Sequence, residues 1–442
     1  MKLKSISIGN FKNVADTTLD LSRMIALVST NNYGKSNLLE AIRFGFDFIA
    51  GSARQRTNMM HWTRGIPLSP SLAEKDYFFS IEFDEPQLEQ YRYVKYSFSF
   101  SWFNDNNTGA VITDESIEVR ASESVRYTAY LKRDLGEYRA KKDTKAFRKI
   151  SLAKDVLAID VLSSVDDIEI GDVISSIKSL SYRICKTLEL DKPFLPVPIE
   201  FDFGTSSELS FVDSDLPKAL SMLIKEKPKQ YNLFVETILD LFPEFERIEL
   251  QYYTLNSEDI VETQSIMLSS KDDAPSANDN IKIPYRIKDE LYRLVIHSKY
   301  LNQPISMEHM STGTKRIFWL IANAVLGSCY GINLIGVDEI ETSIHPKMIS
   351  KLLESLNHIS EDTSMILTSH SPYLIQYLKP EALYVGAPKD DGVAYFRRIQ
   401  KTKTKSLLKT TRSLETTVGE YLFELMAGDE DSASILSAYL GD

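Results

Sequence analysis

A glycine, a lysine and a hydroxyl stand together at Gly34-Lys35-Ser36, inside the stretch VSTNNYGKSNLLEAI that runs from Val28 to Ile42. They make the second half of the pattern GxxxxGK[ST]. In that pattern backbone N–H groups cradle phosphates, the lysine meets the β and γ charges, and the hydroxyl reaches magnesium. Ser29 occupies the first glycine position. Asn32 stands where many such loops have a second glycine, and asparagine is among the few non-glycine residues that tolerate positive φ. Serine is small, so its fit turns on the φ it must adopt. A serine- and asparagine-rich turn capping an ordinary helix is the plainer reading of the same letters.

Three other groups could do chemistry. VDEIETSIHP (337–346) ends an apolar run in Asp338-Glu339. Two carboxylates at a sheet's C-terminal edge can serve a magnesium shell (Asp338) and polarise an attacking water (Glu339), although charged residues often end strands. ILTSHSPYLI (366–375) ends another apolar run in a polar turn with His370. A lone histidine after a strand is more often structural. Here it follows the acidic pair with a helix between, which implies parallel strands and places His370 near a γ-phosphate. MSTGTKRIFWL (310–320) opens a helix with Ser311, Thr312 and Gly313, whose N–H groups and hydroxyl could bind phosphate or could be a simple N-cap. Each signal alone is weak. Their order along the chain makes them one signal.

The elements that must hold these groups follow from periodicity. Residues 3–9 and 24–28 read as strands, and a helix from about 36 to 49 follows the loop. Residues 77–84, 92–102 and 111–130 alternate as antiparallel strands do, giving a β-rich lobe. Helical spacing is expected from about 143 to 190 and again over 215–242. Strands are expected over 246–270, a polar loop over 271–280, and a strand and helix over 281–300. The tail, 401–442, reads as mostly helical. Neither an internal repeat nor a long heptad array is evident.

Bulk properties narrow the class. The chain has 442 residues, which suggests two to three structural units, and 43% of them are hydrophobic and 26% charged. A net charge of −11 argues against a protein that coats nucleic acid and confines any such contact to a local patch. Two cysteines, Cys185 and Cys329, exclude a disulfide scaffold and offer no zinc spacing. Both are expected to be buried in a reducing cytosol. The N-terminus lacks the apolar segment of a signal peptide. The uncharged run 317–337 is long enough for a bilayer, but Gly327, Ser328, Gly331 and Asn333 interrupt it. A helix, a turn and a buried strand are expected there instead, with no membrane contact.

On the motifs FKNVADTTLDL, NNYGKSNLLEAIRF, STGTKR, VDEIETSIHP and LTSHSPYLI, the chain resembles the ABC-type ATPases related to RecF, SMC proteins and the overcoming-lysogenisation-defect (OLD) family. Bacterial ATPases of the AAA15/AAA21 group match best, among them subunits of antiphage systems such as Septu and PARIS. The motifs cover roughly residues 1–50 and 305–380. The resemblance implies an α/β fold: an ABC-type P-loop ATPase head, with a mixed sheet, a β-rich lobe and a helical insertion. It implies head segments at 1–135 and 246–400, an insertion at 136–245 and a helical tail at 401–442.

The resemblance also implies roles. Asn31, Asn32, Gly34, Lys35, Ser36 and Asn37 would hold ATP, with Ser29 where the family often has glycine. Ser36 and Asp338 would hold Mg2+, and Glu339, Lys35 and His370 would be catalytic. Ser311 and Gly313 would meet the γ-phosphate of an opposite copy, so that ATP joins two heads and hydrolysis releases them. Glu341-Thr342-Ser343 resembles the segment that crosses the dimer interface. The motifs do not place the family's magnesium-contacting glutamine; Gln55 is a guess at it.

What the ATP serves is less legible. GDEDS (428–432) sits between helical stretches and makes a poor nuclease site. Two stretches are locally basic, 132–154 and 397–412. They are either solvated faces or contacts with DNA, RNA or an acidic protein. Three readings stay open: a cytoplasmic defence ATPase controlling a separate effector (a nuclease or toxin), a RecF-like repair ATPase, and an ATP-bound scaffold with little turnover.

Overall fold

A computed structural model describes residues 1–67, 69–104, 108–134, 137–141, 147–165, 168–186, 191–201, 215–254, 285–360, 362–386 and 391–441. The chain divides into two units, residues 1–187 with 327–442, and residues 188–326.

The first unit holds two sheets. An antiparallel one consists of β1 (Lys2–Gly9), β2 (Thr17–Asp20), β4 (Tyr77–Asp84), β5 (Tyr93–Ser101), β6 (Val111–Arg120), β7 (Thr128–Asp134), β8 (Glu137–Lys141) and β9 (Phe147–Ser151), with apolar residues alternating most clearly along β4 and β5. Its order is β2-β1-β4-β5-β6-β7-β8-β9. The second sheet uses shorter, continuously apolar strands, as expected of strands covered on both faces. They are β3 (Met24–Val28), β10 (Tyr182–Cys185), β16 (Leu334–Val337), β17 (Ser364–Ser369), β18 (Leu383–Gly386) and β19 (Phe396–Arg398), in the order β10-β16-β17-β3-β18-β19. All but β19 run parallel.

Helix α1 (Lys35–Ala50) lies between the sheets because two of its faces are apolar. Phe44 and Phe48 enter an aromatic cluster with Tyr77, Phe98 and Phe100 of the antiparallel sheet. Phe46 stacks on Tyr182 of β10 at 5.1 Å. Around these lie α2 (Ala53–Met60), α3 (Ala158–Leu162), α4 (Gly171–Ser179), α8 (Pro346–Ile359), α9 (Pro372–Ile375), α10 (Thr404–Ser413), α11 (Val418–Ala427) and α12 (Glu430–Ser437). The tail is therefore helical, and Asp429 of GDEDS N-caps α12 by accepting from the Ser432 N–H at 3.1 Å.

The second unit contains β11 (Ile199–Phe201) paired with β13 (Tyr285–Ile287), and a sheet of β12 (Phe245–Thr254), β14 (Glu290–Ser298) and β15 (Ile305–Ser306). Helices α5 (Leu216–Glu226) and α6 (Pro228–Leu241) and the start of α7 (Thr312–Cys329) complete it. Phe234, Phe242 and Phe245 pack on Phe318. Asp215 caps α5 and pairs at 2.6 Å with buried Lys288.

Several expectations change. The helical spacing read from 143 onward begins in a strand, since Phe147–Ser151 is β9. Phe147 and Ile150 stand three apart and imitate a helical period, an ambiguity common to short apolar runs. The same region ends in β10, which joins the parallel sheet. The stretch 290–298, expected to lead into a helix, is the strand β14. Cys185 is buried, whereas Cys329 is only half-buried. The polar loop 271–280 lies outside the described residues. The run 317–337 is helix, turn and strand, and among the described residues no helix is long and apolar enough to cross a membrane.

Candidate functional site

The parallel sheet brings three polar turns side by side. β16, β17 and β3 are neighbours, with Val337 opposite Leu367 and Ser369 opposite Val28. The turns that follow these strands carry Asp338-Glu339, His370 and the loop 29–36. A ligand in an open α/β sheet binds at such a C-terminal edge.

The loop keeps its shape through positive φ values where the sequence provides for them. Asn32 has φ 59 and Gly34 has φ 125. A Cβ on Gly34 would lie 2.8 Å from the Ala394 Cβ, so this glycine is needed both for its φ and for room. Ser29 is fully buried and does not adopt a positive φ. The position where glycine is common therefore does not demand one here.

Neighbours brace the loop from outside. Asn13 donates to the Tyr33 carbonyl at 3.1 Å and accepts from Asn37 at 2.8 Å. The Tyr33 hydroxyl accepts from the Tyr395 N–H at 3.0 Å, and burial pushes its pKa up to about 12. Gly386, ending β18, lets Tyr33 and Ser29 close in: a Cβ there would fall 2.4 Å from the Tyr33 ring and 2.9 Å from Ser29.

Lys35 is 7% exposed. Its ammonium donates to the carbonyls of Ser29 at 3.0 Å and Thr30 at 2.9 Å, and to the Ser29 hydroxyl at 3.3 Å. Burial pulls its pKa below the ordinary lysine value, while Glu341, Glu339 and Asp338 push it back.

A chain of hydroxyls and carboxylates ties the loop to the next two turns. Ser36 donates to Asp338 Oδ1 at 3.1 Å, and Thr368 donates to the same oxygen at 2.6 Å. Thr368 in turn accepts from the Glu339 N–H at 2.8 Å. Glu339 sits at φ 48 and its Oε2 accepts from the Thr342 hydroxyl at 3.3 Å. Ser369 and the His370 N–H donate to Glu341 Oε1 at 2.8 and 2.9 Å.

These donors suit a nucleotide with magnesium. A hydroxyl oxygen and a carboxylate oxygen facing each other are hard ligands, and magnesium takes few protein ligands beside phosphate and water. Among the described residues no three His, Cys, Asp or Glu side chains converge as a metal site of their own. Gly34, Lys35 and Ser36 open α1, whose N-terminal N–H groups and dipole favour an anion.

Most of the expected residues thus gather in one place: Asn31, Asn32, Gly34, Lys35, Ser36, Asp338, Glu339 and His370 lie on adjoining turns. Asn37 adjoins them, but its side chain braces Asn13 and Lys12. Ser311 and Gly313 belong to the second unit. There the exposed Ser311 hydroxyl caps α7, accepting from the Thr314 N–H at 3.2 Å. Gln55 is the third residue of a capping box on α2; its Oε1 accepts from the Ser52 N–H at 2.8 Å. Asn13, Tyr33, Thr368 and Gly386 were not singled out beforehand. Thr368 had one signal, a hydroxyl two residues before the histidine on an otherwise apolar strand.

Comparison with known proteins agrees with this arrangement. Residues 1–375 match the family model AAA_15, described as an AAA ATPase domain. The Septu protein PtuA of Bacillus thuringiensis is 24% identical over 178 residues, covering 35% of this chain and 44% of that protein. The chain thus spans less than half the length of that relative. Among solved structures, an SMC head bound to the C-winged helix domain of ScpA superposes with a TM-score of 0.51 at 13% identity, over 91% of this chain and 99% of the other. An SMC head with an extended coiled coil, bound to the C-terminal domain of ScpA derived from Pyrococcus furiosus, gives 0.49 at 12% identity, over 93% and 99%. The fold is that of an ABC-type P-loop ATPase head.

Proposed function

The chain belongs to the AAA ATPase domain family, and from that premise we propose that it binds ATP on the loop 29–36 and hydrolyses it between two copies. The observation that carries this is the linkage from Ser36 through Asp338 and Thr368 to Glu339. It sets a magnesium-type hydroxyl, its carboxylate and a second carboxylate in one rigid frame. Lys35 and the N–H groups of Asn32 to Ser36 meet the phosphates, and Ser36 and Asp338 hold magnesium. When bound, magnesium neutralises charge on the phosphate oxygens. Glu339 accepts a proton from the attacking water, and His370 faces the γ-phosphate side. Ser311 and Gly313 reach the ATP of an opposite copy, which makes two heads the working unit. Stabilising developing charge in a closed site is the usual source of rate in phosphoryl transfer.

Within this reading, the ATPase serves a defence system, sensing invasion and controlling a separate nuclease or toxin. The similarity of part of the chain to a Septu protein supports that role. The φ of Ser29 favours turnover over a passive ATP-bound scaffold, because the serine at the first glycine position does not strain the loop.

The test is magnesium-dependent ATP hydrolysis with solution mass, for wild type and Glu339→Gln. Expected are turnover by wild type, and in the variant a rate lower by about 100-fold or more with ATP held in a larger assembly. A wild type that binds ATP without turnover or change in mass would sink the proposal.

A further inference from the structure

Glu341 is a third carboxylate at this site. Its side chain is 9% exposed, although it sits in a turn at the open edge of the sheet. One oxygen, Oε1, accepts from both the Ser369 hydroxyl and the His370 N–H, at 2.8 and 2.9 Å. His370 Nδ1 lies 3.4 Å from the same oxygen. The other oxygen, Oε2, is buried with no hydrogen-bond partner. A glutamate free to turn toward water would not accept that arrangement, since an unsatisfied buried carboxylate oxygen is costly. The turn holds it inward through two strained positions, Glu339 at φ 48 and Ser343 at φ 64. Strain of this kind persists only where the surroundings impose it. Glu341 is also the carboxylate that most favours the charge on Lys35.

A carboxylate can only accept hydrogen bonds. A neutral imidazole beside one therefore places its proton on the facing nitrogen. We propose that Glu341 is a positioning residue for His370: it fixes the Ser369-His370 turn and holds the ring as the Nδ1–H tautomer, leaving the Nε2 lone pair to accept from a water on the γ-phosphate side. This rests on the reading of His370 as facing the γ-phosphate side. It assigns Glu341 an inward task, distinct from the crossing of a dimer interface.

The test has two readouts. In protein labelled with 15N-histidine, His370 is assigned through His370→Gln and its ring nitrogens are read in wild type, Glu341→Ala and Glu341→Gln. Wild type and Glu341→Gln, which keeps an acceptor oxygen, are expected to show Nδ1–H. Glu341→Ala is expected to shift toward Nε2–H. In ATP turnover, Glu341→Ala should lower kcat about tenfold with KM within about threefold, and Glu341→Gln should recover most of the loss. Adding His370→Ala to Glu341→Ala should cost no more than His370→Ala alone, because the two act as one unit. An unchanged tautomer in Glu341→Ala, or losses that multiply in the double variant, overturns the proposal. If wild type fails to hydrolyse ATP, the proposed function falls, while the tautomer still decides the role of Glu341.

Discussion

Arg56 and Arg133 in the antiparallel lobe are as deeply buried as anything at the edge of the parallel sheet, yet the two regions treat polar groups differently. Arg56 donates to the carbonyls of Phe48 and Ile49, in the last turn of α1, at 2.7 and 3.2 Å, and pairs with Asp160 at 2.5 Å. Arg133 donates to the carbonyls of Val156 and Ala153. Glu115, 3.8 Å from Arg133, accepts from the Ala158 and Ile159 N–H groups that begin α3 and from the Tyr96 hydroxyl. Arg56 and Glu115 finish helix ends that would otherwise leave backbone groups unpaired, and Arg133 does the same for loop carbonyls ahead of α3. At the sheet edge, by contrast, Glu341 keeps an orphaned oxygen, Glu339 and Ser343 are strained, and burial pulls the Lys35 pKa down. Unsatisfied buried atoms also occur in the lobe, at Asn10 Oδ1 and Arg120 Nε, so what sets the sheet edge apart is that an orphaned carboxylate oxygen, two positive-φ turn residues and a desolvated lysine coincide there.

Variants can break that contrast. The largest effect is expected for Lys35→Ala: ATP turnover should fall by about 100-fold or more, while the melting temperature changes little because a desolvated charge has been removed. A variant that melts far below wild type would show Lys35 to be structural, and the contrast would fail on that side.

Arg133→Met should do the reverse. Removing one partner of a buried ion pair costs about 3–5 kcal/mol of stability. The urea midpoint of the lobe should drop, with the KM for ATP unchanged in the folded fraction.

A smaller effect concerns pH. Burial pushes Glu115 from its ordinary 4.5 up to about 7, against the N–H donors and Arg133 that favour its charge. Its folded form then holds a proton more tightly than the unfolded chain does. The stability it lends is fully present below pH 4.5 and is lost as pH rises through 7, by roughly 3 kcal/mol at most. Glu115→Gln should flatten that slope in urea midpoints measured from pH 4.5 to 8, and an equal slope in both proteins would remove Glu115 as its source.

The smallest effect sharpens the comparison from the other side. Ser29→Gly should change ATP affinity by less than about threefold, since glycine's freedom is not needed at a position without positive φ. A large gain, measured by calorimetric titration, would mean that the serine strains the loop after all.

Much of the site was legible in the chain because its parts are local. Gly34-Lys35-Ser36 are consecutive, and the opening of α1 follows from them. The apolar strands before Asp338 and His370, with α8 between, gave a parallel pair by the ordinary rule for crossovers. The regions misread were those where short strands and short helices abut, such as Phe147–Ser151 beside α3, because two apolar residues, Phe147 and Ile150, are too few to separate the two periods.

The sequence by itself determined which chemical groups this protein has and in what order, since a motif needs only neighbouring residues and the strand that precedes it. Tertiary structure alone decided how they meet. Ser36 finds Asp338 across 302 residues of sequence because β3, β17 and β16 pair in one register. Ser29 keeps an ordinary φ, and Glu341 turns inward, because packing against β17, β18 and Tyr33 leaves them no other place. Register and packing are properties of the whole sheet, and no local run of letters contains them.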